Sequence, residues 1–116
     1  MIFKGLKAHF YQTSKGNEPV REWLQALSRD EKKIIGEDIK TVQLGWPLGM
    51  PLVRNLDKGL WEVRSNLKSN KIARVIFFMH NNSMILLHGF IKKSQKTPPQ
   101  DIETALKRMK EVKHNG

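Results

Sequence analysis

The stretch that decides the fold is WEVRSNLKSNKIARVIFFMHNNSMILLHGFIKKSQK, residues 61–96. It holds apolar runs of strand length separated by short polar segments, residues 68–71 and Asn81-Asn82, a pattern that predicts consecutive strands. Residues 72–79 lack polar alternation, so we expect this strand to lie centrally with both faces covered. Because the connecting turns are short, we expect these strands to pair antiparallel.

The N-terminal half predicts one short strand and two helices. The strand spans residues 8–11, and Pro19 suits the first turn of a helix that follows a polar turn. The run Ser28-Arg29-Asp30-Glu31 matches a capping box, which predicts the start of a second helix. Gly45 closes that helix, and residues 46–51, with two prolines, cannot continue it. We expect the two helices to form a hairpin on a sheet.

The remaining elements complete an α+β arrangement. Residues 52–56 suit a further strand, and Asp57-Lys58-Gly59 is a plausible hairpin turn. The segment Thr97-Pro98-Pro99-Gln100 predicts the start of a last helix. The expected order is β-α-α-β-β-β-α, or the same with one strand more or less. A helical hairpin on a mainly antiparallel sheet, with a C-terminal helix, is therefore predicted as a single domain over residues 1–116.

Positive charge concentrates on the same stretch. The chain has 21 Lys and Arg residues against 11 Asp and Glu, with a formal net charge of +10. Residues 61–96 hold one acidic residue, Glu62, and the basic residues Arg64, Lys68, Lys71, Arg74, Lys92, Lys93 and Lys96. A basic surface with little local acid suits a polyphosphate, so RNA or DNA is the expected partner.

The composition disfavours several other classes of protein. Cysteine is absent, which excludes a disulfide framework and a thiolate metal site. The four histidines lie far apart without metal-ligand spacing, so we expect no metal and no cofactor. The apolar runs fall short of the ~20 residues of a membrane span, and the N-terminus lacks the apolar core of a signal peptide. We therefore expect a cytoplasmic protein with no membrane partner.

Arg64 and Arg74 are the residues most in need of an explanation. An arginine inside an apolar strand is costly unless its charge is met. One reading is an ion pair with Glu62 or Asp57. The other is a guanidinium held on a rigid strand to grip a phosphate by two parallel hydrogen bonds. In an enzyme, such cations would stabilise the charge that develops in phosphodiester cleavage without a metal.

Three segments together resemble the phage-derived, HigB-like branch of the RelE/ParE toxin superfamily. They are GLWEVR at residues 59–64, ARVIFF at residues 73–78 and LLHGFIKKSQKTP at residues 86–98. The likeness extends over nearly the whole chain, and its most specific parts are the strand with Glu62 and Arg64 and the segment 90–98. It implies a small RelE-like fold and the toxin of a type II toxin–antitoxin pair.

The resemblance also implies an activity and partners. RelE- and HigB-like toxins are endoribonucleases, or mRNA interferases, that cut mRNA in the ribosomal A site and so inhibit translation. The 2′-hydroxyl of the RNA is the nucleophile and no metal takes part. In this branch the antitoxin is typically a helix-turn-helix protein, and the toxin–antitoxin complex binds its own operator DNA.

Family roles carry over only to matching positions. Some family members carry a catalytic Tyr or His near the end of the last strand. The only tyrosine here is Tyr11, so His88 is the candidate substitute. The general acid and base stay unassigned. The expected catalytic residues are Arg64, Arg74, His88, Lys92 and Lys93, and the expected RNA-binding residues are Lys68, Lys71 and Lys96.

Two other functions stay open at this point. A ParE-like protein shares the fold and inhibits DNA gyrase by binding, without the basic catalytic set. An inactive or regulatory nucleic-acid-binding module would keep the charge and lack the cleavage activity. The basic residues 64, 74, 92 and 93 favour the nuclease.

Overall fold

A computed structural model describes residues 5–47, 49 and 51–115 of this chain. The elements are β1 (Lys7–Phe10), α1 (Pro19–Gln25), α2 (Arg29–Gly45), β2 (Val53–Asp57), β3 (Leu60–Asn66), a 3₁₀ turn (Lys68–Asn70), β4 (Ile72–His80), β5 (Ser83–Lys92) and α3 (Pro99–Asn115). This order is the predicted one with one strand more. The predicted α+β class is confirmed, and the arrangement agrees with a small RelE-like fold.

One mixed sheet of five strands has the order β1-β5-β4-β3-β2. The three consecutive pairs β2–β3, β3–β4 and β4–β5 are antiparallel, as predicted. The first strand instead pairs parallel with β5, where Lys7 lies opposite Ser83. Strand β4 is central, and residues 72–78 are buried throughout, which confirms that both of its faces are covered.

Residues in the left-handed region make the two tight hairpins. Asp57, Lys58 and Gly59 have φ values of 73°, 55° and 86° between β2 and β3. Asn81 and Asn82 have φ values of 49° and 61° between β4 and β5. Glycine and asparagine tolerate this region best, so the sequence sets the turns that fix the strand register.

The second helix begins at the predicted capping box and ends at the predicted glycine. The Ser28 hydroxyl accepts a hydrogen bond from the Glu31 amide, and the Glu31 carboxylate accepts one from the Ser28 amide, both at 3.2 Å. This is the predicted capping box, and the helix ends at Gly45. The segment expected to stop the helix lies partly outside the described residues, since Leu48 and Met50 are not among them.

The sheet carries helices on both faces. Helices α1 and α2 cover one face, where Val20, Ile35 and Val42 join a core with the inward side chains of the strands. Helix α3 covers the other face through Ala105 and Met109. We call these faces the hairpin side and the α3 side. No helix in the described part of the chain is long and apolar enough to span a membrane.

Candidate active site

Polar side chains gather on the α3 side of the sheet, in two neighbouring cross-strand rows. In one row Arg64, Arg74 and Phe90 lie opposite one another on β3, β4 and β5. In the adjacent row Glu62 and His88 flank the middle strand. We call these five residues the polar patch. The strand register thus brings together three of the residues expected from sequence, Arg64, Arg74 and His88.

Arg74 is fully buried at the centre of the patch. Its Nη2 donates to the carbonyl oxygen of Ser94, and its Nη1 donates to that of Lys96 at 3.4 Å. The guanidinium lies over the ring of Phe90, 5.6 Å from the ring centre. Its Nε has no hydrogen-bond partner among the described residues. Burial lowers the pKa of Arg74, and the positive charge of Arg64 lowers it further.

Glu62 and Arg64 form a buried ion pair beside it. The Arg64 Nη1 donates to Glu62 Oε1 at 2.9 Å, and both side chains are buried. The second carboxylate oxygen of Glu62 accepts a hydrogen bond of 2.8 Å from the Thr97 hydroxyl. Both oxygens of this carboxylate are therefore engaged. For Arg64, the ion-pair reading with Glu62 is therefore confirmed.

Residues 94–96 fold back over the arginines, and we call them the strap. Besides the two carbonyls bound to Arg74, the carbonyl oxygen of Gln95 accepts from Arg64 and from Arg54, each at 3.2 Å. The amide oxygen of the Gln95 side chain accepts from Arg64 Nη2 at 3.0 Å. Three arginines thus surround one carboxylate, and neutral strap oxygens accept most of their hydrogen bonds. Sequence reasoning missed both Arg54 and the strap.

The lysines at the end of β5 are exposed. Lys92, Lys93 and Lys96 lie at the surface and form no ion pair with any residue that the structure describes. Lys93 shares a shallow depression of about 260 Å³ with Lys71, Gln95 and polar residues of the β3–β4 connection. A predicted catalytic lysine, Lys93, and a predicted RNA-binding lysine, Lys71, therefore share one surface beside the strap.

The other two predicted RNA-binding residues differ in their surroundings. Lys71 is half-buried, and its Nζ lies 3.5 Å from Glu31 Oε2, so part of its charge is met inside the protein. Lys68 is exposed on the 3₁₀ turn. Of the two, Lys68 is therefore the better placed to meet a phosphate.

His88 has a carboxylate partner that the sequence did not reveal. Its Nε2 lies 2.6 Å from Asp101 Oδ1 in the first turn of α3. The imidazole also stacks on Phe90, with ring centres 5.6 Å apart. About a fifth of the His88 side chain and 16% of that of Asp101 are exposed. The sequence shows an acid in the first turn of the helix after the last strand. It does not show that this acid contacts His88.

Several aromatic residues lie away from the patch. Trp46 packs edge-on against Trp61 and Phe77, with ring centres 5.0 and 5.5 Å apart, on the hairpin side. The Tyr11 hydroxyl donates to Glu111 near the far end of α3. Ten residues of helix separate Glu111 from Asp101, or about 15 Å. These contacts place the rings in structural roles.

A family model described as Phage derived protein Gp49-like (DUF891) matches residues 22–110. The match runs from α1 to the later turns of α3 and includes the whole polar patch. No curated protein matches the chain. Among residues 5–47, 49 and 51–115, no three His, Asp or Glu side chains converge in the manner of metal ligands.

Proposed function

This chain belongs to the Gp49-like family of phage-derived proteins, and we propose that it is a ribosome-dependent endoribonuclease toxin. The family lies in the RelE/ParE-like toxin superfamily, so the chain is a toxin–antitoxin-type module. We propose further that the chain belongs to the HigB-like branch, that residues 1–116 form a single toxin domain, and that it cleaves mRNA in the cytoplasm. Its proposed partners are a helix-turn-helix antitoxin, the ribosome with its mRNA, and operator DNA.

The observation that carries the proposal is the excess of buried positive charge beneath exposed lysines. Arg64 pairs with the carboxylate of Glu62, whereas the hydrogen bonds of Arg54 and Arg74 to described residues go to neutral oxygens of the strap, which also accept from Arg64. A phosphate oxygen accepts hydrogen bonds from arginine more strongly than a neutral carbonyl does. The patch is therefore suited to exchange strap carbonyls for an RNA phosphate.

The proposed reaction uses these groups in sequence. Lys92, Lys93 and Lys96 attract the RNA backbone, with Lys68 and Lys71 further along the same edge. The scissile phosphate then replaces strap oxygens as the partner of Arg74 and Arg64, and their charge stabilises the pentacoordinate transition state. The RNA supplies its own 2′-hydroxyl as nucleophile. The products are a 2′,3′-cyclic phosphate and a 5′-hydroxyl.

Primer extension on mRNA, with and without programmed ribosomes, tests the proposal. We expect cuts within A-site codons that need the ribosome. Arg74→Lys keeps the charge and loses the planar fork, so it should cut at least ~100-fold more slowly. Circular dichroism would check that this variant is folded. No cleavage in any reaction, together with inhibition of gyrase supercoiling, would instead support the ParE-like alternative.

A further inference from the structure

The pairing of His88 with Asp101 depends on an irregularity in the sheet. The register between β4 and β5 shifts after Ile76: Ile76 lies opposite His88, whereas Phe77 lies opposite Leu86. Leu87 is the extra residue of this bulge, and it joins the core on the α3 side. His88, the next residue, reaches Asp101 on α3. A bulge re-aims a side chain in this way, and bulges are frequent beside active sites.

The carboxylate determines what the imidazole can do. Asp101 Oδ1 accepts from His88 Nε2, which fixes the neutral ring in the form with its proton on Nε2. The other ring nitrogen, Nδ1, then carries a lone pair. Nδ1 has no hydrogen-bond partner among the described residues, and about a fifth of the His88 side chain is exposed. An oriented imidazole with one accessible lone pair is suited to take a proton.

The surroundings of His88 connect it to the phosphate site. Phe90 contacts both groups: His88 stacks on its ring, and the Arg74 guanidinium lies over the same ring. Asp101 on α3 contacts the imidazole directly. Two cations contact its neighbours: Arg74 lies over the Phe90 ring, and Arg108 on α3 donates to the carbonyl of Leu87 at 2.8 Å. A nucleotide whose phosphate meets Arg74 would therefore place its ribose near His88.

Other proton acceptors are less suited to this role. Glu62 is fully buried, with both oxygens engaged by Arg64 and Thr97. The hydroxyl of Tyr11 donates to Glu111, about 15 Å along α3 from Asp101. His88 thus combines exposure, orientation and proximity to the arginines.

We propose that His88 is the general base of the cleavage reaction and that Asp101 is its positioning residue. The inference rests on the proposed function and adds the proton acceptor that the resemblance left unassigned. His88 Nδ1 takes the proton of the 2′-hydroxyl, whose oxygen forms a bond to phosphorus while the bond between phosphorus and the 5′-oxygen breaks. The departing 5′-oxygen takes a proton from water, and the hydroxide left behind removes the proton from His88. The net change is one RNA strand converted to a cyclic phosphate and a 5′-hydroxyl.

Single-turnover cleavage on programmed ribosomes separates a positioning role from a structural one. The variants are Asp101→Asn, Asp101→Glu, His88→Asn and the double variant His88→Asn with Asp101→Asn. Glu103→Gln, exposed on the same turn of α3, is the matched control. We expect Asp101→Asn and His88→Asn each to slow the cleavage step by ~10²–10³-fold, while the half-saturating ribosome concentration is unchanged. Asp101→Glu should recover most of the rate, and the double variant should be no slower than His88→Asn alone.

Two results would overturn the inference. One is an Asp101→Asn variant that cleaves as fast as Glu103→Gln while the wild type is active. The other is ¹⁵N NMR of the free protein showing the His88 proton on Nδ1 rather than Nε2. If the wild type cleaves no RNA with ribosomes present, the proposed function itself fails and the inference falls with it. The NMR measurement needs no cleavage and keeps the two failures distinguishable.

Discussion

Arg64 and Arg74 lie directly opposite each other on β3 and β4, so one cross-strand position holds two guanidinium groups. Like charges at such a position destabilise a sheet. The carboxylate of Glu62, 2.9 Å from Arg64, and the carbonyls of the strap offset this repulsion. The site is therefore held together by groups that an RNA phosphate could replace in part.

Removing the charge of Glu62 should destabilise the fold. In Glu62→Gln the arginine pair would lose its one buried carboxylate, and breaking a buried pair in this way costs about 3–5 kcal/mol of unfolding free energy. Urea unfolding measures the change. Glu37→Gln, exposed on α2, is the control and should change the unfolding free energy by less than ~0.5 kcal/mol. Equal stabilities of the two variants would show that Glu62 does not hold the arginines.

The exposed lysines should supply much of the affinity for RNA. We expect the triple variant of Lys92, Lys93 and Lys96 to alanine to weaken binding and to reduce the slope of log affinity against log salt by about 2, at about 0.7 per phosphate contact. The matched control changes Lys32, Lys33 and Lys40, exposed on the hairpin side, to alanine. Fluorescence titration of ribosomes or single-stranded RNA over a range of salt concentrations measures both slopes. The same slope in both variants would exclude the β5 end as the phosphate-binding surface.

Gly89 fixes how closely α1 approaches the sheet. A Cβ atom at this position would overlap the ring of Trp23, so Gly89→Ala should destabilise the protein by about 1–3 kcal/mol. Gly36 is the control, because a Cβ there meets no atom within 4 Å inside an exposed stretch of α2. Gly36→Ala should stabilise by about 0.5–1 kcal/mol, the difference in helix preference. In thermal or urea unfolding, the two variants should therefore change the unfolding free energy in opposite directions. A stabilising Gly89→Ala would refute this packing.

Tyr11 should contribute to stability and not to catalysis. Burial raises the pKa of its hydroxyl above 10.0, and the hydrogen bond to Glu111 raises it further. Because the folded pKa lies above the unfolded one, this contribution is present below about pH 10 and is lost as the pH rises through the folded value. Tyr11→Phe should therefore show a weaker loss of stability than the wild type as the pH rises above about 10. Its cleavage rate should match that of the wild type, and a large loss of rate would place Tyr11 in the reaction.

The local parts of this fold could be read from the sequence. The capping box at Ser28, the asparagine turn between β4 and β5, and the unbroken apolar run of β4 all act over a few residues. The parallel pairing of β1 with β5 could not be read, because it joins residues more than 70 positions apart, such as Lys7 and Ser83. The bulge after Ile76 could not be read either, because its extra residue, Leu87, is an ordinary strand residue.

The sequence predicts which types of residue form the site, but it predicts their arrangement only in part. Arg64, Arg74 and His88 stand out as polar residues on apolar strands, and the register unites them. The strap could not be foreseen, because backbone carbonyls carry no sequence signal. Asp101 was one acid among several on α3, and its partner is set by the crossing of helix and sheet.

The most direct test of the central claim is cleavage of an mRNA with a single 2′-deoxy substitution at the cut nucleotide, on programmed ribosomes. If the 2′-hydroxyl is the nucleophile, this one change should abolish the cut at that position. Cuts at unmodified codons should continue and yield 5′-hydroxyl ends. Undiminished cleavage at the deoxy position, or products with 5′-phosphates, would contradict the account.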